Sequence, residues 1–575
     1  MSVKQNSLNN SKPRVIALSV FVSLVACLIV VRLFYIQVVH GKDFKEDADA
    51  QYTAPKSATV DRGTIFFQKK NGQNISAASQ MSGFKMALVP DNIVDAEKTY
   101  DALSAIIALD KEEFMAKAAK KGDPYEELDV HLSREMANTV DMLKLGGVKL
   151  FQDKWRVYPA NTLASQTIGF VAYKGDDLSG RYGLERYYNT TLSRTANGQY
   201  VNFFAEIFSN IQSTFENNVD EGDVVTTIEP SVQAELELQL AAVQKKWGAE
   251  MAGGIIMDPK TGAIYAMGKT PGFDLNDFSK VENPREFSNP FVENVYEFGS
   301  VIKPLVMGAA VDAKVVTPET SYFDAGSVVV KDRTINNFDR KGRGAGTTMQ
   351  MVLDQSLNTG MVFVQQKMGN ELFRKYMQNY KLGERTGIDL PNETSGLVSN
   401  LTHNNDVELA NAAFGQGIAI TPVEAVRAFS SIANGGKMVT PHLASEIVLS
   451  SGLTKKIEVP APIQVLNPET ATTISTMMIH VVDKAMGGGI HKMEHYTIAG
   501  KTGTAQIAKE SGGGYYSNKY LHSFFGFFPA SNPKFLVFLF LRDPKGVDYA
   551  SQTLIDPFFA TAKFLLNYYN VPPDR

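Results

Sequence analysis

From Val15 to Val31 the chain (VIALSVFVSLVACLIVV) is uncharged and almost wholly apolar, and Leu33 to Val39 continues the run after Arg32. A helix rising about 1.5 Å per residue needs roughly 20 residues to cross a hydrocarbon core. The pattern therefore predicts a single transmembrane helix over residues 15–39, with Arg32 near one interface where its side chain reaches the headgroups. A cleavable signal peptide competes with this reading, but no small-residue cleavage site follows the run, so an uncleaved anchor is favoured. The first 14 residues are polar, with no apolar pattern, and read as a short tail.

Beyond the span, residues 40 to about 220 mix short alternating runs with polar helices, such as one expected around Pro124 to Met142. Thr214 to Asp223 (TFENNVDEGD) is polar, acidic and poor in apolar residues, and reads as a domain junction. After it, Val232, Leu236, Leu240 and Val243 recur at helical spacing, with Pro230 where a first helical turn tolerates it. GGIIMDPKTGAIYAM then reads as a β-hairpin, its turn carried by Asp258 to Gly262. Near the C-terminus SFFGFFPA and KFLVFLFL are strand-like, and Asp556 to Tyr569 is apolar at helical spacing. Helices combined with antiparallel strands predict an α+β architecture.

At 575 residues more than one domain is expected. A composition of 44% apolar and 21% charged residues argues against wholesale disorder. The formal net charge of −4 gives no reason to expect a nucleic-acid partner. Cys27 is the single cysteine, which excludes an intrachain disulfide and any cysteine-based metal site. The histidines form no HExxH. His491 and His495 stand four apart, but Gly487 to Gly489 just before them argue for a loop, so no metal is expected. Positive residues flank the apolar span evenly (Lys4, Lys12 and Arg14 before it; Arg32, Lys42 and Lys45 after), so charge alone does not orient it.

Three short elements in the second half carry chemistry. In Gly299-Ser300-Val301-Ile302-Lys303-Pro304, at the start of an apolar helix, residues three apart share a face, so Lys303 can reach Ser300 Oγ. A serine hydroxyl needs such a base to become a nucleophile, and the lysine must then be neutral, with its pKa depressed by burial or a second cation. Ser356-Leu357-Asn358 offers a hydroxyl that can relay a proton and an amide that can hold a carbonyl. Lys501-Thr502-Gly503-Thr504 reads as a strand edge where a glycine lets a substrate backbone approach, beside a positive charge and a hydroxyl. Each alone has a plain explanation: a surface Ser and Lys on one helix face, a capped helix–loop junction, an ordinary strand end. In this order, S-x-x-K, S-x-N and K-T-G are the set shared by penicillin-binding proteins and class A β-lactamases.

From about residue 55 to the C-terminus the chain resembles the class B penicillin-binding proteins, the monofunctional transpeptidases. Tyr296-Glu297-Phe298-Gly299-Ser300 resembles the family's approach to its nucleophile, although Phe298 stands where proline is often found. Phe414 to Pro422 (FGQGIAITP) resembles the glycine-rich segment between the second and third motifs. Asp61-Arg62-Gly63-Thr64-Ile65, Arg156-Val157-Tyr158-Pro159 and Gly183-Leu184-Glu185-Arg186-Tyr187 resemble stretches of the family's non-catalytic pedestal. The resemblance implies a cytoplasmic tail (1–14), a single transmembrane anchor (15–39), an elongated α/β pedestal of the dimerisation type (40–220) and a β-lactamase-like transpeptidase domain (221–575). In that last domain a central antiparallel sheet is flanked by helices. It also orients the span, with the N-terminus in the cytoplasm and the catalytic domain periplasmic or otherwise extracytoplasmic.

By the same resemblance Ser300, Lys303, Ser356, Asn358 and Lys501 are catalytic, Thr502, Gly503 and Thr504 bind substrate, and the backbone amides of Ser300 and Thr504 form the oxyanion hole. Ser300 would attack the carbonyl between two D-alanines of a peptidoglycan stem peptide, and an amine from a neighbouring stem would take the acyl group. No metal or organic cofactor is required. β-Lactams would enter the same path and stall. The length and the Lys-Thr-Gly motif resemble the septal, FtsI-like branch, whose anchor and pedestal would meet a polytopic glycosyltransferase and other division proteins. Rod elongation, D,D-carboxypeptidase activity and a non-catalytic β-lactam sensor or divisome scaffold are the alternatives.

Overall fold

The structure, a computed structural model, describes residues 61–174, 177–194, 221–403, 405–510 and 513–575, with scattered helical positions between 16 and 29. No helix among the described residues is long and apolar enough to cross a membrane. The polar tail, the remainder of the 15–39 run and the junction up to residue 220 lie outside the described residues.

Residues 61–575 hold two large sheets. The first begins with β1 (Ile65–Gln68) and β2 (Asn74–Leu88), then β3 (Glu126–Leu132). The expected helix around Pro124 to Met142 is therefore only half right. Glu126, Leu128 and Leu132 are buried while Glu127 and His131 are exposed, a period of two that belongs to a strand. Helix α1 (Arg134–Met142) starts afterwards, capped by Ser133, whose hydroxyl accepts from the Met136 amide. Strand β4 (Val148–Val157) pairs with β2 along its length. Between these elements lies a small separate core around Met86, Leu103, Phe114, Leu128 and Val140.

Strand β5 (Gly222–Thr226) takes up the last residues of the acidic segment read as a junction and lies parallel to β1. Helix α2 (Pro230–Trp247) follows, with the Glu229 side chain as N-cap and Gly248 in the left-handed conformation at its end. Its predicted apolar face, Val232, Leu236, Leu240 and Val243, is buried. Strands β6 (Met251–Met257) and β7 (Ile264–Thr270) form the expected hairpin. In the middle of the chain come α3 (Lys303–Asp312), α4 (Met349–Asp354), α5 (Asn358–Met368) and α6 (Pro422–Ala433). Strand β8 (Ala444–Leu449) then pairs with β5, so one sheet joins strands from residues 65–157 to strands more than 280 residues further on. Helix α7 (Pro468–His480) leads to β9 (Ala499–Ala508), β10 (Tyr515–Phe528), β11 (Phe535–Arg542) and the closing helix α8 (Ile555–Tyr568).

The second sheet runs β7-β6-β11-β10-β9, antiparallel throughout, with β9 at its edge. Helices cover both faces. Adjacent residues on a strand point to opposite sides, and Phe524 stacks on Phe558 of α8 while Phe525 stacks on Phe429 of α6. Burial on both faces explains why β11 and the end of β10 (Phe524–Phe528) are continuously apolar rather than alternating. This is the central antiparallel sheet flanked by helices that the family resemblance implies.

The three upstream motifs converge on one buried ion cluster. Glu185 accepts from Arg62 Nε and Arg156 Nε, both at 2.7 Å, and its side chain is wholly buried. Arg156 Nη1 also donates to the Gly63 carbonyl, and Tyr158 donates to Glu185. A Cβ on Gly63 would lie 2.1 Å from the Gly222 carbonyl oxygen, so the glycine permits β1 and β5 to meet.

Candidate active site

The sheet edge and α3 meet at Ser300. Gly299 has φ of +64°, and a Cβ there would sit 2.6 Å from the Thr504 carbonyl oxygen, so only glycine lets the turn press against β9. Residues 299–302 make one tight 3-10 turn, and the Lys303 amide donates to the Ser300 carbonyl as α3 begins. Phe298, in place of the family's proline, is fixed by packing. It lies edge-on to Phe538 at 4.9 Å, and its carbonyl accepts from Ser523 Oγ at 2.8 Å.

Ser356 sits in the short break between α4 and α5, itself in the left-handed conformation at φ +54°. That strained backbone turns its carbonyl and hydroxyl toward the lysines. Lys303 is fully buried and donates to Ser356 O at 2.6 Å, to Asn358 Oδ1 at 2.8 Å and to Ser356 Oγ at 3.3 Å. Asn358 Nδ2 in turn donates to the Asn336 carbonyl, which fixes its amide. From the other side Lys501, on β9, donates to Ser356 Oγ and to the Thr502 carbonyl, each at 3.0 Å. One hydroxyl therefore bridges two buried amines.

Burial, and then the neighbouring Lys501 cation, hold the Lys303 amine well below the usual lysine range. Burial also brings Lys501 down to about 8, against the opposing pull of Asp354. The chemistry follows from the inventory of donors. Two of the acceptors around Lys303 are carbonyl oxygens, which only accept; a neutral amine satisfies both with its two N–H groups, and the Ser356 hydroxyl, which can donate as well as accept, then faces its lone pair. In that state Lys303 can accept a proton, and Lys501 can keep a positive charge on the other side of the Ser356 hydroxyl.

Ser300, Ser356, Asn358, Lys501, Thr502 and Thr504 all line one cleft of about 1090 Å³. Gly503 has no room for a side chain: a Cβ would stand 2.4 Å from Phe298 O. The Thr504 hydroxyl accepts from the Ala550 amide, tying the strand to the loop before α8. The glycine-rich segment reaches the site as well, since Gly299 N donates to Gly415 O and Phe414 and Gln416 line the cleft. Its Thr421 caps α6 in a reciprocal capping box with Glu424. Every predicted site residue therefore belongs to a single place.

Other cleft residues carried no sequence signal. Phe338 and Tyr549 face each other edge-on at 5.7 Å, with Arg340 and Arg343 nearby in the lining. Asp354 and His480 are the further pair, joined at 3.0 Å. His491 and His495 lie in a loop, as the glycines predict; His491 stacks on Phe559.

Comparison with known proteins agrees with this geometry. Residues 252–562 match the family described as penicillin binding protein transpeptidase domain, and residues 57–225 match the penicillin-binding protein dimerisation domain. The chain belongs to the penicillin-binding protein transpeptidase family. It is 30% identical to stage V sporulation protein D of Bacillus subtilis over 558 residues, covering 95% of this chain and 84% of that one. It is 28% identical to peptidoglycan D,D-transpeptidase FtsI of Escherichia coli K12 over 456 residues, 77% of this chain and 73% of that one. Among solved structures, penicillin-binding protein 2X of Streptococcus thermophilus matches with a TM-score of 0.71 at 21% identity, covering 89% of this chain and 80% of that one. Penicillin-binding protein 3 of Mycobacterium tuberculosis, complexed with aztreonam, matches with a TM-score of 0.69 at 22% identity, covering 90% of this chain and 98% of that one. These two show the shared fold. As a penicillin-binding protein the chain carries its serine, its two lysines and its bridging hydroxyl at the places where the three motifs meet.

Proposed function

We propose that this penicillin-binding protein is a serine D,D-transpeptidase that cross-links peptidoglycan stem peptides through a Ser300 acyl-enzyme, and that it does so in septal wall synthesis during division. The observation that carries the chemistry is the Lys303–Ser356–Lys501 relay beside Ser300. Lys303 takes the Ser300 proton as Oγ attacks the penultimate D-alanine carbonyl. The oxyanion rests on the amides of Ser300 and Thr504, a role supported by the close approach of Gly299 to the Thr504 carbonyl on β9. The proton passes through Ser356, under the charge of Lys501, to the nitrogen of the departing D-alanine. Thr502 and Asn358 orient the donor strand, and an amine from a second stem resolves the acyl-enzyme. A β-lactam acylates Ser300 by the same path and is not displaced.

The septal role rests on relatives such as FtsI of Escherichia coli. The 15–39 run anchors the protein in the cytoplasmic membrane, with its N-terminus inside and the cleft outside, and brings it to a polytopic glycosyltransferase and other division proteins. The sporulation relative carries a second reading, the same chemistry used in a developmental wall. Incubation of the full chain with D-Ala-D-Ala stem peptides, followed by mass analysis, tests the activity. Cross-linked dimers, absent with Ser300→Ala, are expected. Trimmed monomers alone would make the protein a carboxypeptidase, and unchanged substrate would leave the scaffold or sensor.

A further inference from the structure

Transpeptidation has a second half, in which an acceptor amine that is an ammonium ion in water must lose protons before it can attack. The Lys303–Ser356–Lys501 relay serves the first half. A separate acid–base pair lies in the same cleft. His480, the last residue of α7, contacts Asp354 Oδ1 through Nδ1 at 3.0 Å. A carboxylate only accepts, so Nδ1 carries the hydrogen and Nε2 is left with its lone pair.

The pair is built rather than incidental. Gln350 Nε2 donates both to Asp354 Oδ1 at 2.8 Å and to the Met477 carbonyl at 3.1 Å, pinning the carboxylate to the last turn of α7. The Asp354 side chain is 11% exposed and that of His480 46%, so the carboxylate is held beneath while the ring opens to solvent. Both residues line the cleft that contains Ser300. Asp354 on α4 is the charged partner in contact with the ring; the other charged residues lining the cleft are Arg340, Arg343, Lys484, Lys501 on β9 and Asp548, and Asp483 lies in the turn that follows α7. Asp483 is engaged by Arg575, and Lys484 lines the cleft. Asp312 of α3 is occupied at the opposite end of α7 by Asn467 and Thr470, and Arg427 of α6 by carbonyls of the 381–385 loop.

We propose that His480, oriented by Asp354, is the base that prepares the acceptor amine for attack on the Ser300 acyl-enzyme. The assignment rests on the transpeptidase reading above. The ammonium gives one proton to His480 Nε2, which passes it to solvent. The amine lone pair forms the C–N bond to the acyl carbon. The second nitrogen proton goes to neutral Lys303, and from there to Ser300 Oγ as the C–O bond of the ester breaks. The free enzyme is restored with no other reagent.

The test separates the two halves. The full chain is acylated with a labelled penicillin to time the first half. A separate, unacylated sample is given an N-acylated peptide ending in D-Ala-D-Ala, with glycinamide as the acceptor, and the amine-transfer and hydrolysis products are compared. His480→Gln is expected to keep the penicillin rate within about twofold of the parent while lowering the transfer-to-hydrolysis ratio at pH 7 by about tenfold, the excess of ammonium over free amine for an α-amino group of pKa about 8. Raising the pH until glycinamide is itself unprotonated should restore the ratio, which a merely structural histidine would not do. Asp354→Asn should lower the ratio as well, by mis-setting the ring tautomer. An unmoved ratio in His480→Gln overturns the proposal, as does a penicillin rate that falls in step with it, because the pair would then only brace the Ser356 loop. Failure of the parent protein to acylate at all would instead sink the transpeptidase reading beneath it.

Discussion

Gly503→Ala adds one methyl group, and the structure says where it would go. Gly503 has no left-handed φ, so the backbone accepts alanine and the effect is steric alone. The new Cβ would stand 2.4 Å from Phe298 O, 2.5 Å from Ser523 Oγ and 3.0 Å from Val301 N, where ordinary contact begins near 3.4 Å. Something must yield by about 1 Å. Phe298 is 1% exposed and wedged against Phe538, and the Ser523 hydroxyl is bonded to its carbonyl, so neither retreats easily. The strand and the 299–302 turn must then part, and that turn carries Ser300. A displacement of about 1 Å between reacting groups costs on the order of 100-fold in rate, whereas overpacking costs the fold only about 1–3 kcal/mol. Stopped-flow acylation by a fluorescent penicillin, read beside thermal unfolding, checks both. A folded Gly503→Ala protein acylating within about threefold of the parent would refute the argument that this contact sets the nucleophile.

Other outcomes follow from the buried charges. Lys501 in the folded protein titrates at about 8, below its ordinary 10.5, so at pH 7 it holds its proton in a site that binds it poorly. That costs folding on the order of 3 kcal/mol at about 1.4 kcal/mol per pH unit, a penalty present below pH 8 that fades as pH rises toward 10.5. Lys501→Met should therefore unfold no earlier than the parent at pH 7 while acylating far more slowly; a sharp fall in Tm would contradict this. Glu185→Gln leaves Arg62 and Arg156 without their shared buried counter-charge, and should cost about 3–5 kcal/mol in denaturant titration. A loss under 1 kcal/mol would show the cluster to be dispensable.

Much of this was legible in the sequence because it rests on period and order. The face of α2, the β6–β7 hairpin, β11 and the apolar end of β10 follow from the local pattern alone, whereas the polar first half of β10 (Tyr515–His522) gave no such sign. The 126–132 strand was harder to see. Two glutamates and an aspartate mask its alternation, and only pairing with β2 reveals which side is buried. That the sheet holding β1 and β2 also takes the 444–449 strand is a long-range fact with no local trace. Asp354 and His480 are 126 residues apart and belong to no motif, so only folding brings them together. Phe298 shows the converse: the departure from proline left the turn undetermined until the ring's packing against Phe538 was seen.

The central claim is that Ser300, activated by two buried lysines, forms the acyl-enzyme. Intact-mass analysis of the full chain after exposure to penicillin tests it most directly, with Ser300→Ala alongside. One penicilloyl adduct on the parent protein and none on the folded variant is the predicted result. An adduct that survives in Ser300→Ala, or no adduct on the folded parent, would contradict it.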